Sequence, residues 1–378
     1  MRFTRTCNIS AVIITVITNG LLVLAAPEQA TAQSVYDDIW KLAEWYRSEQ
    51  NEVVQSVLFS GRFQYEFAAV DADQGTHQEW NVRRMRLGVK SEWFGQFTVH
   101  VEAGFNPQER DPFYRRLTEA NVEWEASDVF ALKLGKQGVA FTTDGSTSSK
   151  ELLTIDRSNL ANNMWFPDEY IPGVSAFGAR SNWVYHLGVY TGGGVNRWFG
   201  EFDGSAFGLL SIGYDFSEAL GVEDALLRGN YVYQDPDPNN TFTRQLQHIT
   251  SLNFRFEDVR WGFRVDFSAA SGYLGQSDLW GVMTMPFFNL TSRFQVVGRH
   301  TYLSSESANG VRLARYENRV TDGRGDRYNE FYVGVNYYFY GHKLKLQSGL
   351  QFADMKDSAA DGGAYSGVAW TTGLRVSW

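Results

Sequence analysis

From about residue 53 to its end, the chain alternates apolar and polar residues with a period of two. In EFYVGVNYYFY, for example, Phe331, Val333 and Val335 fall on one face and polar or small residues fall on the other. Successive side chains of a β-strand point to opposite faces, so this period predicts strands. About sixteen such segments of about ten residues are visible, and they begin near residues 53, 80, 95, 115, 128, 173, 182, 205, 225, 246, 259, 276, 289, 326, 342 and 366. The sequence therefore predicts an all-β fold.

The connections between these segments alternate between short and long. The short ones lie near residues 91–95, 125–128, 256–259 and 340–342. The long, polar ones lie near residues 69–79, 106–114, 137–172, 192–204, 235–244, 305–326 and 355–365. Short turns at one rim and long loops at the other are typical of transmembrane barrels, and about ten residues suit a tilted membrane-crossing strand. We therefore expect residues 53–378 to form a closed antiparallel transmembrane β-barrel of about sixteen strands.

The chain ends on Trp378, in the strand-like stretch GVAWTTGLRVSW. A bilayer cannot satisfy a free strand edge, so we expect the last strand to pair with the first barrel strand. Trp378 would then lie at the membrane interface, where aromatic rings are favoured. A secreted, soluble all-β protein with a buried last strand is the alternative interpretation.

The N-terminus has the pattern of a secretory signal peptide covering residues 1–32. Arg2 and Arg5 precede an apolar stretch, and Ala30-Thr31-Ala32 is a typical cleavage site. The single cysteine of the chain lies inside this segment, which excludes disulfides and thiolate sites from the mature protein. Residues 33–52 are predicted to be a periplasmic segment with a helix at 35–50, which either caps the barrel rim or forms a trimeric coiled coil.

Three blocks of the sequence resemble the phosphate-selective porin O and P family. They are WNVRRMRLGVKSEWFGQFTVHVEAGF, LTEANVEWEASDVFALKLGKQGVAFTTD and NEFYVGVNYYFYGHKLKLQSGLQF, and they occur in the family's order. The resemblance implies a sixteen-stranded porin of the bacterial outer membrane, usually a homotrimer. It also implies a third extracellular loop, here residues 137–172, folded into the lumen as a constriction. The terminal Trp378 resembles the signal that the outer-membrane assembly machinery reads.

A barrel of sixteen strands is wide enough to enclose an aqueous channel lined by the polar strand faces. Basic residues outnumber acidic ones on these faces, although the chain has a net charge of -9. The basic residues that we expect to line the pore are Arg62, Arg84, Arg86, Arg228, Arg264, Arg293, Arg299 and Arg375. The expected constriction loop adds Lys136, Lys150 and Arg157. Rings of Arg and Lys select anions, so the lumen predicts an anion preference.

A second interpretation of these charges is that they stabilise the barrel wall. Arg62 lies four residues from Glu66, and Arg264 lies two residues from Asp266, so each pair shares a strand face. Ion pairs of this kind would cancel part of the positive field. The acidic net charge argues against nucleic acid as a partner.

No pattern in the sequence indicates catalysis, a metal site or a cofactor. The six histidines are widely separated, and neither a G-x-S-x-G elbow nor a phosphate-binding G-x-x-x-x-G-K-[ST] loop is present. The predicted function is a diffusion channel in outer-membrane lipid for small anionic or neutral solutes, with a preference for anions such as phosphate or polyphosphate. A structural or adhesive barrel with a blocked lumen, and an outer-membrane hydrolase, are the alternatives.

Overall fold

The computed structural model describes residues 30–109, 111–166, 169–191, 206–238 and 244–378. Most of the predicted signal peptide and the whole predicted loop 192–204 lie outside this part of the chain. The chain divides into two compact units, Met1–Leu42 and Ala43–Trp378. In the first unit, the helix α1 spans Ala30–Lys41. None of the described helices is long and apolar enough to cross a membrane.

The predicted helix at 35–50 is correct only in its first half. Residues Glu44–Arg47 form a short strand, β1, in which Tyr46 pairs with Val57. The ring of Trp45 stacks on Phe59 with centroids 5.6 Å apart. Strand pairing and aromatic stacking therefore replace the helix that the spacing of Trp45 and Tyr46 suggested.

The remaining strands follow in chain order. They are β2 (Val54–Ala72), β3 (Gly75–Trp93), β4 (Phe97–Phe105), β5 (Tyr114–Ser127), β6 (Phe130–Gly138), β7 (Tyr170–Arg180), β8 (Trp183–Thr191), β9 (Ala206–Asp215), β10 (Asp224–Gln234), β11 (Leu246–Glu257), β12 (Trp261–Gly272), β13 (Leu279–Asn289), β14 (Phe294–Ser305), β15 (Val311–Arg312), β16 (Arg324–Gly325), β17 (Arg327–Tyr340), β18 (Leu344–Lys356) and β19 (Tyr365–Ser377). Three further helices are α2 (Thr143–Ser146), α3 (Asn159–Met164) and α4 (Ser217–Leu220).

Sixteen of these strands close into one antiparallel barrel, which confirms the predicted fold. Each barrel strand pairs with its neighbour along the chain, and β19 returns to β2, with Leu374 opposite Tyr65. Beyond β19, Trp378 exchanges two backbone hydrogen bonds with Gly61, at 3.1 and 3.2 Å. Every predicted segment start lies within five residues of the start of a barrel strand. β15 and β16 form a separate two-stranded sheet.

The predicted long loop at residues 69–79 is wrong. β2 continues to Ala72 and β3 resumes at Gly75, so only two residues connect two strands of nineteen residues each. Gly75 has a φ of +144°, which favours glycine at this turn. On the outer face of the hairpin end, Asp71, Thr76 and Gln78 are polar and exposed, so the apolar alternation is lost there. Polar residues on both faces therefore resemble a loop in the sequence.

The outer face of the barrel is apolar where strands would cross a bilayer. On β17, Phe331 and Val333 are 56% and 50% exposed, whereas the intervening Tyr332 is buried. Leu134 and Val189 are also exposed on other strands. Exposed apolar side chains that alternate with buried ones form the lipid-facing surface of such a barrel.

Two long connections contribute buried residues to the interior. Loop 3, residues 139–169, joins β6 to β7 and contains α2 and α3; its predicted bounds were 137–172. Loop 7, residues 306–326, joins β14 to β17 and contains β15, β16 and a 3₁₀ turn at Glu317–Arg319. The sequence predicted an inward fold for loop 3 alone.

The inner wall is not polar throughout. Strands β9 to β14 carry buried apolar residues that belong to one cluster with the apolar residues of loop 3. From the wall these include Phe207, Leu209, Val232, Ile249, Met283 and Met285, and from the loop Phe141, Leu160, Met164 and Phe166. Loop 3 is thus packed against this side of the wall by the hydrophobic effect.

Candidate functional site

Polar side chains of the barrel wall hold the middle of loop 3 in place. Between residues 149 and 156, loop carbonyl oxygens accept hydrogen bonds from wall side chains on several strands. The pairs are Gln64 to Ser149 (2.8 Å), Lys345 to Leu152 (2.6 Å), Asn336 to Leu153 (2.9 Å), Arg375 to Ile155 (3.2 Å) and Arg299 to Asp156 (2.9 Å). Lys345, Arg375 and Arg299 therefore position the loop as well as contributing charge.

A cavity of about 260 Å³ lies between loop 3, loop 7 and the wall, and we call it the eyelet cavity. Six arginines line it, against two carboxylates. The arginines are Arg83, Arg84, Arg157, Arg244, Arg299 and Arg315, and the carboxylates are Asp156 and Glu169. Arginine stays protonated in proteins, so the lining has four more positive than negative charges.

Arg83 reaches the eyelet cavity because of a β-bulge. Gln64 pairs with Arg84 and Tyr65 with Val82, which leaves Arg83 as an extra residue in β3. Its Nε lies 3.2 Å from the Oδ1 of Asp156. Strict alternation places Arg83 on the outer face, so sequence reasoning missed it.

Glu169 is the main counter-charge of the arginines around loop 3. Its carboxylate lies 3.4 Å from Arg84, 3.2 Å from Arg86 and 3.1 Å from Arg157. Burial alone would raise the pKa of Glu169, but Arg157, Arg84 and Arg86 hold it well below its ordinary value. Glu169 thus stays ionised and ties strand arginines to the end of loop 3.

Three of the predicted site residues, Arg84, Arg157 and Arg299, line the eyelet cavity. Two others, Arg86 and Arg375, are buried nearby and make contacts with Glu169 and with the loop carbonyl of Ile155. Arg62 donates to the hydroxyl of Ser149 at 2.6 Å.

The other predicted site residues lie elsewhere. Arg264 borders a second cavity of about 700 Å³ beside the short turns, and Arg228 lies on β10 outside the eyelet lining. Arg293 and Lys136 do not lie where the sequence predicted. Arg293 lies in the turn before β14, not on a strand, and Lys136 lies on β6, before loop 3 begins. Lys150 is in loop 3 and donates to the Trp378 carbonyl oxygen at 2.8 Å.

The lumenal charges do form ion pairs, but with partners other than those expected. Arg62 pairs with Glu102 at 3.4 Å, and Arg264 pairs with Glu257 at 2.6 Å. Glu66 is bound by Arg375 instead, and Asp266 accepts a hydrogen bond from the Thr143 backbone at 2.7 Å. Cross-strand pairing therefore neutralises part of the wall, while the eyelet cavity keeps its excess of arginine.

Three arginines of the cavity lie over aromatic rings. Arg157 is 4.6 Å from the ring centre of Trp165, Arg299 is 5.1 Å from that of Tyr332, and Arg315 is 5.4 Å from that of Tyr316. Arg315 and Arg244 belong to loop 7 and to the end of the loop before β11. Sequence reasoning missed both, because neither loop carries a pattern that distinguishes an inward fold from a solvated one.

Within the described ranges, no group of three or more His, Cys, Asp or Glu side chains is arranged to hold a metal ion.

The model of the family described as "Phosphate-selective porin O and P" matches residues 57–206, which confirms the resemblance found in the sequence. An uncharacterized protein of Aquifex aeolicus (strain VF5) is 20% identical over 333 residues, covering 75% of this chain and 78% of that protein.

Two solved structures share the fold. The anion-selective porin from Comamonas acidovorans matches with a TM-score of 0.58 and 12% identity, covering 85% of this chain and 99% of that one. OprB of Pseudomonas putida matches with a TM-score of 0.58 and 10% identity, covering 85% and 94%. With the family match and the apolar outer face, the barrel belongs to the bacterial outer membrane.

Proposed function

We propose that this chain is a porin that passes small hydrophilic solutes and prefers anions. The observation that carries the proposal is the eyelet cavity, where six arginines face two carboxylates. A narrow passage with low-dielectric walls concentrates the field of its charged groups. Arginine rings in such passages attract anions and repel cations. Inorganic phosphate and polyphosphate belong to the solute class that this field admits.

The test is the reversal potential of the purified, refolded mature chain in planar bilayers under a potassium chloride gradient. We expect a potential that reports chloride preference. The double variant Arg83→Gln with Arg315→Gln removes half of the four-charge excess and should shift the potential toward cations. The matched control is Arg327→Gln, since the Arg327 side chain is 59% exposed and lies outside the eyelet lining. Cation preference in the wild-type chain would overturn the proposal.

A blocked barrel with a structural or adhesive role is the second candidate. The observation that favours it is that loop 3 and loop 7 both bury apolar residues in the interior, among them Phe141, Met164 and Leu313. Conductance separates the two functions. A heat-modifiable, folded barrel that never conducts would support the blocked lumen.

The remaining features of the proposal concern export and assembly. The chain is proposed to be exported through a cleaved signal peptide at residues 1–32 and to perform no catalysis. Trp378 closes the barrel beside β2 and stacks on Phe59 with centroids 5.9 Å apart. This placement suits a terminal aromatic read by the assembly machinery. A homotrimer in outer-membrane lipid is the proposed assembly, and cross-linking of the refolded protein tests it.

A further inference from the structure

Two of the six arginines of the eyelet cavity, Arg299 and Arg157, have already used most of their hydrogen-bond donors. In Arg299, Nε donates to Glu330 at 2.7 Å, and Nη1 lies 2.9 Å from both Thr154 Oγ1 and the Asp156 carbonyl. Its Nη2 donates to Gln351 at 3.3 Å. All three nitrogens of this guanidinium are therefore engaged by the protein itself.

Arg157 shows the same pattern in loop 3. Its Nε donates to the Asp144 carbonyl at 2.7 Å, its Nη1 to Glu169 at 3.1 Å and its Nη2 to the Thr147 carbonyl at 3.0 Å. Arg84 likewise donates to Glu169 at 3.4 Å. Arg299 and Arg157 therefore contribute positive charge to the cavity but few unused N–H groups.

Carbon surface makes up much of the rest of the lining. Trp165, Phe166, Tyr316 and Tyr332 all border the cavity. Small aliphatic residues fill the spaces between them, namely Ala161, Ala314 and Ala369. A solute in the cavity thus meets a positive field and aromatic rings, and two of the guanidinium groups around it have few free donors.

Arg315 differs from Arg299 and Arg157. Its Nε is buried without a hydrogen-bond partner, although the guanidinium lies over the Tyr316 ring. Loop 7 holds the side chain against the cavity through Tyr316, whose hydroxyl donates to Glu66 of the wall. A buried donor left unpaired is costly, so a carboxylate oxygen is a favourable partner for it.

We infer that the eyelet cavity selects flat organic carboxylates, aryl carboxylates such as benzoate, over inorganic phosphate. Phosphate gives up a strong hydration shell and needs several free donors to replace it. An aryl carboxylate needs fewer donors, and its ring gains from packing against the aromatic and guanidinium faces. A cavity of about 260 Å³ approaches the roughly 300–1,000 Å³ typical of small-molecule sites. The inference rests on the proposed anion preference and names its substrate class.

The experiment compares three blockers of the chloride current of the mature wild-type channel at pH 7. They are benzoate, cyclohexanecarboxylate and inorganic phosphate. The first two match in charge and ring size, but only benzoate is flat and aromatic. We expect benzoate to block at a concentration roughly three- to tenfold lower than cyclohexanecarboxylate, as aromatic packing predicts. Phosphate should be the weakest of the three.

Two variants locate the effect. Trp165→Leu should abolish the advantage of benzoate over cyclohexanecarboxylate, whereas Trp280→Leu should preserve it, because Trp280 is 45% exposed on the outer face. If Trp165→Leu fails to fold, Arg315→Lys decides, since it keeps the charge but removes the planar guanidinium. It should weaken benzoate block relative to block by cyclohexanecarboxylate.

The outcomes are distinct from those of the porin proposal. Equal block by benzoate and cyclohexanecarboxylate, or tighter block by phosphate, would overturn the substrate class and leave the anion preference standing. A cation-preferring wild-type channel would overturn both. Loss of the benzoate advantage in Trp280→Leu would show that the effect lies outside the eyelet cavity and would also refute the inference.

Discussion

Glu317, a buried residue of loop 7, contacts the hydroxyl of Tyr328 on the barrel wall. The same hydroxyl also contacts a second glutamate, Glu330. The Oη of Tyr328 lies 2.8 Å from the Oε1 of Glu317 and 3.1 Å from the Oε2 of Glu330. A phenol has one proton, so it can donate to only one of these carboxyls. The other contact needs a proton on a carboxyl group. Glu330 pairs with Arg299 at 2.7 Å, which leaves Glu317 as the protonated acid.

The pKa of Glu317 agrees with this assignment. Burial, and after it the charge of Glu330, raises the pKa of Glu317 to about 7. The other polar groups around Glu317 are Tyr328, Gln351 and the backbone N–H of Ala314, so no cation is bonded to it among the described residues. Loop 7 in its observed inward position, which we call the tucked state, is therefore more stable when Glu317 is neutral.

The sign of the pH effect follows from linkage. Below about pH 4.5, Glu317 is protonated whether loop 7 is tucked or released, and it favours neither state. As the pH rises to about 7, only the released loop gives up its proton, so the tucked state loses stability. The pKa of Glu317 is raised from 4.5 to about 7. At 1.36 kcal/mol per pKa unit, the inward position of loop 7 therefore loses about 3 kcal/mol of stability. Above pH 7 the loss levels off.

The assay is single-channel recording of the reconstituted mature chain between pH 4 and pH 9. We expect current noise from loop 7 to grow as the pH rises and to reach a plateau above about pH 7. Glu317→Gln mimics the neutral acid and should keep the current noise low at every pH. The control is Glu306→Gln, an exposed glutamate of the same loop, which should behave as wild type. A pH transition that persists in Glu317→Gln would refute the reasoning.

Two further predictions concern packing and the position of loop 3. A Cβ at Gly349 would lie 2.1 Å from the Tyr332 hydroxyl, so Gly349→Ala should destabilise the barrel by about 1–3 kcal/mol, measured as lower heat stability in detergent. Gly208→Ala, with nothing within 4 Å of the added carbon, is the tolerated control. Lys345→Met removes the 2.6 Å hydrogen bond to the Leu152 carbonyl and should make loop 3 more mobile. We expect larger fluctuations of the single-channel current. Unchanged recordings would show that Lys345 does not position the loop.

The barrel was predictable because its constraint is repeated along the whole chain. Each membrane-crossing strand must present apolar residues to lipid, so the period of two survives in every segment, including Leu344–Lys356 and Tyr365–Ser377. The prediction fails where that constraint ends. Next to the turn at Asp73–Gln74, the outer face of the hairpin carries exposed polar residues, so its strands lose the alternation that marks them.

The eyelet cavity was only partly predictable, for three physical reasons. The inward position of Arg83 depends on a β-bulge, and a bulge of one extra residue cannot be recognised in an alternating sequence pattern. The position of Arg315 in the cavity depends on the inward fold of loop 7. Long-range contacts such as that of Tyr316 with Glu66 determine this fold. The apolar inner face of β13, with Met283 and Met285, reads as an outer face because periodicity does not show which side is the lumen.

An acidic chain can still hold a cavity with a positive lining, because the position of a charge matters more than the total. The net charge is -9 over the whole chain, whereas the eyelet cavity has an excess of four positive charges. Many of the acids lie at the loop end of the barrel, as Asp73, Asp357 and Asp361 do, and are in contact with water. Salt screens such charges within about 8 Å at physiological ionic strength, but it screens buried groups much less. The anion preference that we propose therefore depends on the arginines of the eyelet cavity more than on the acidic rim.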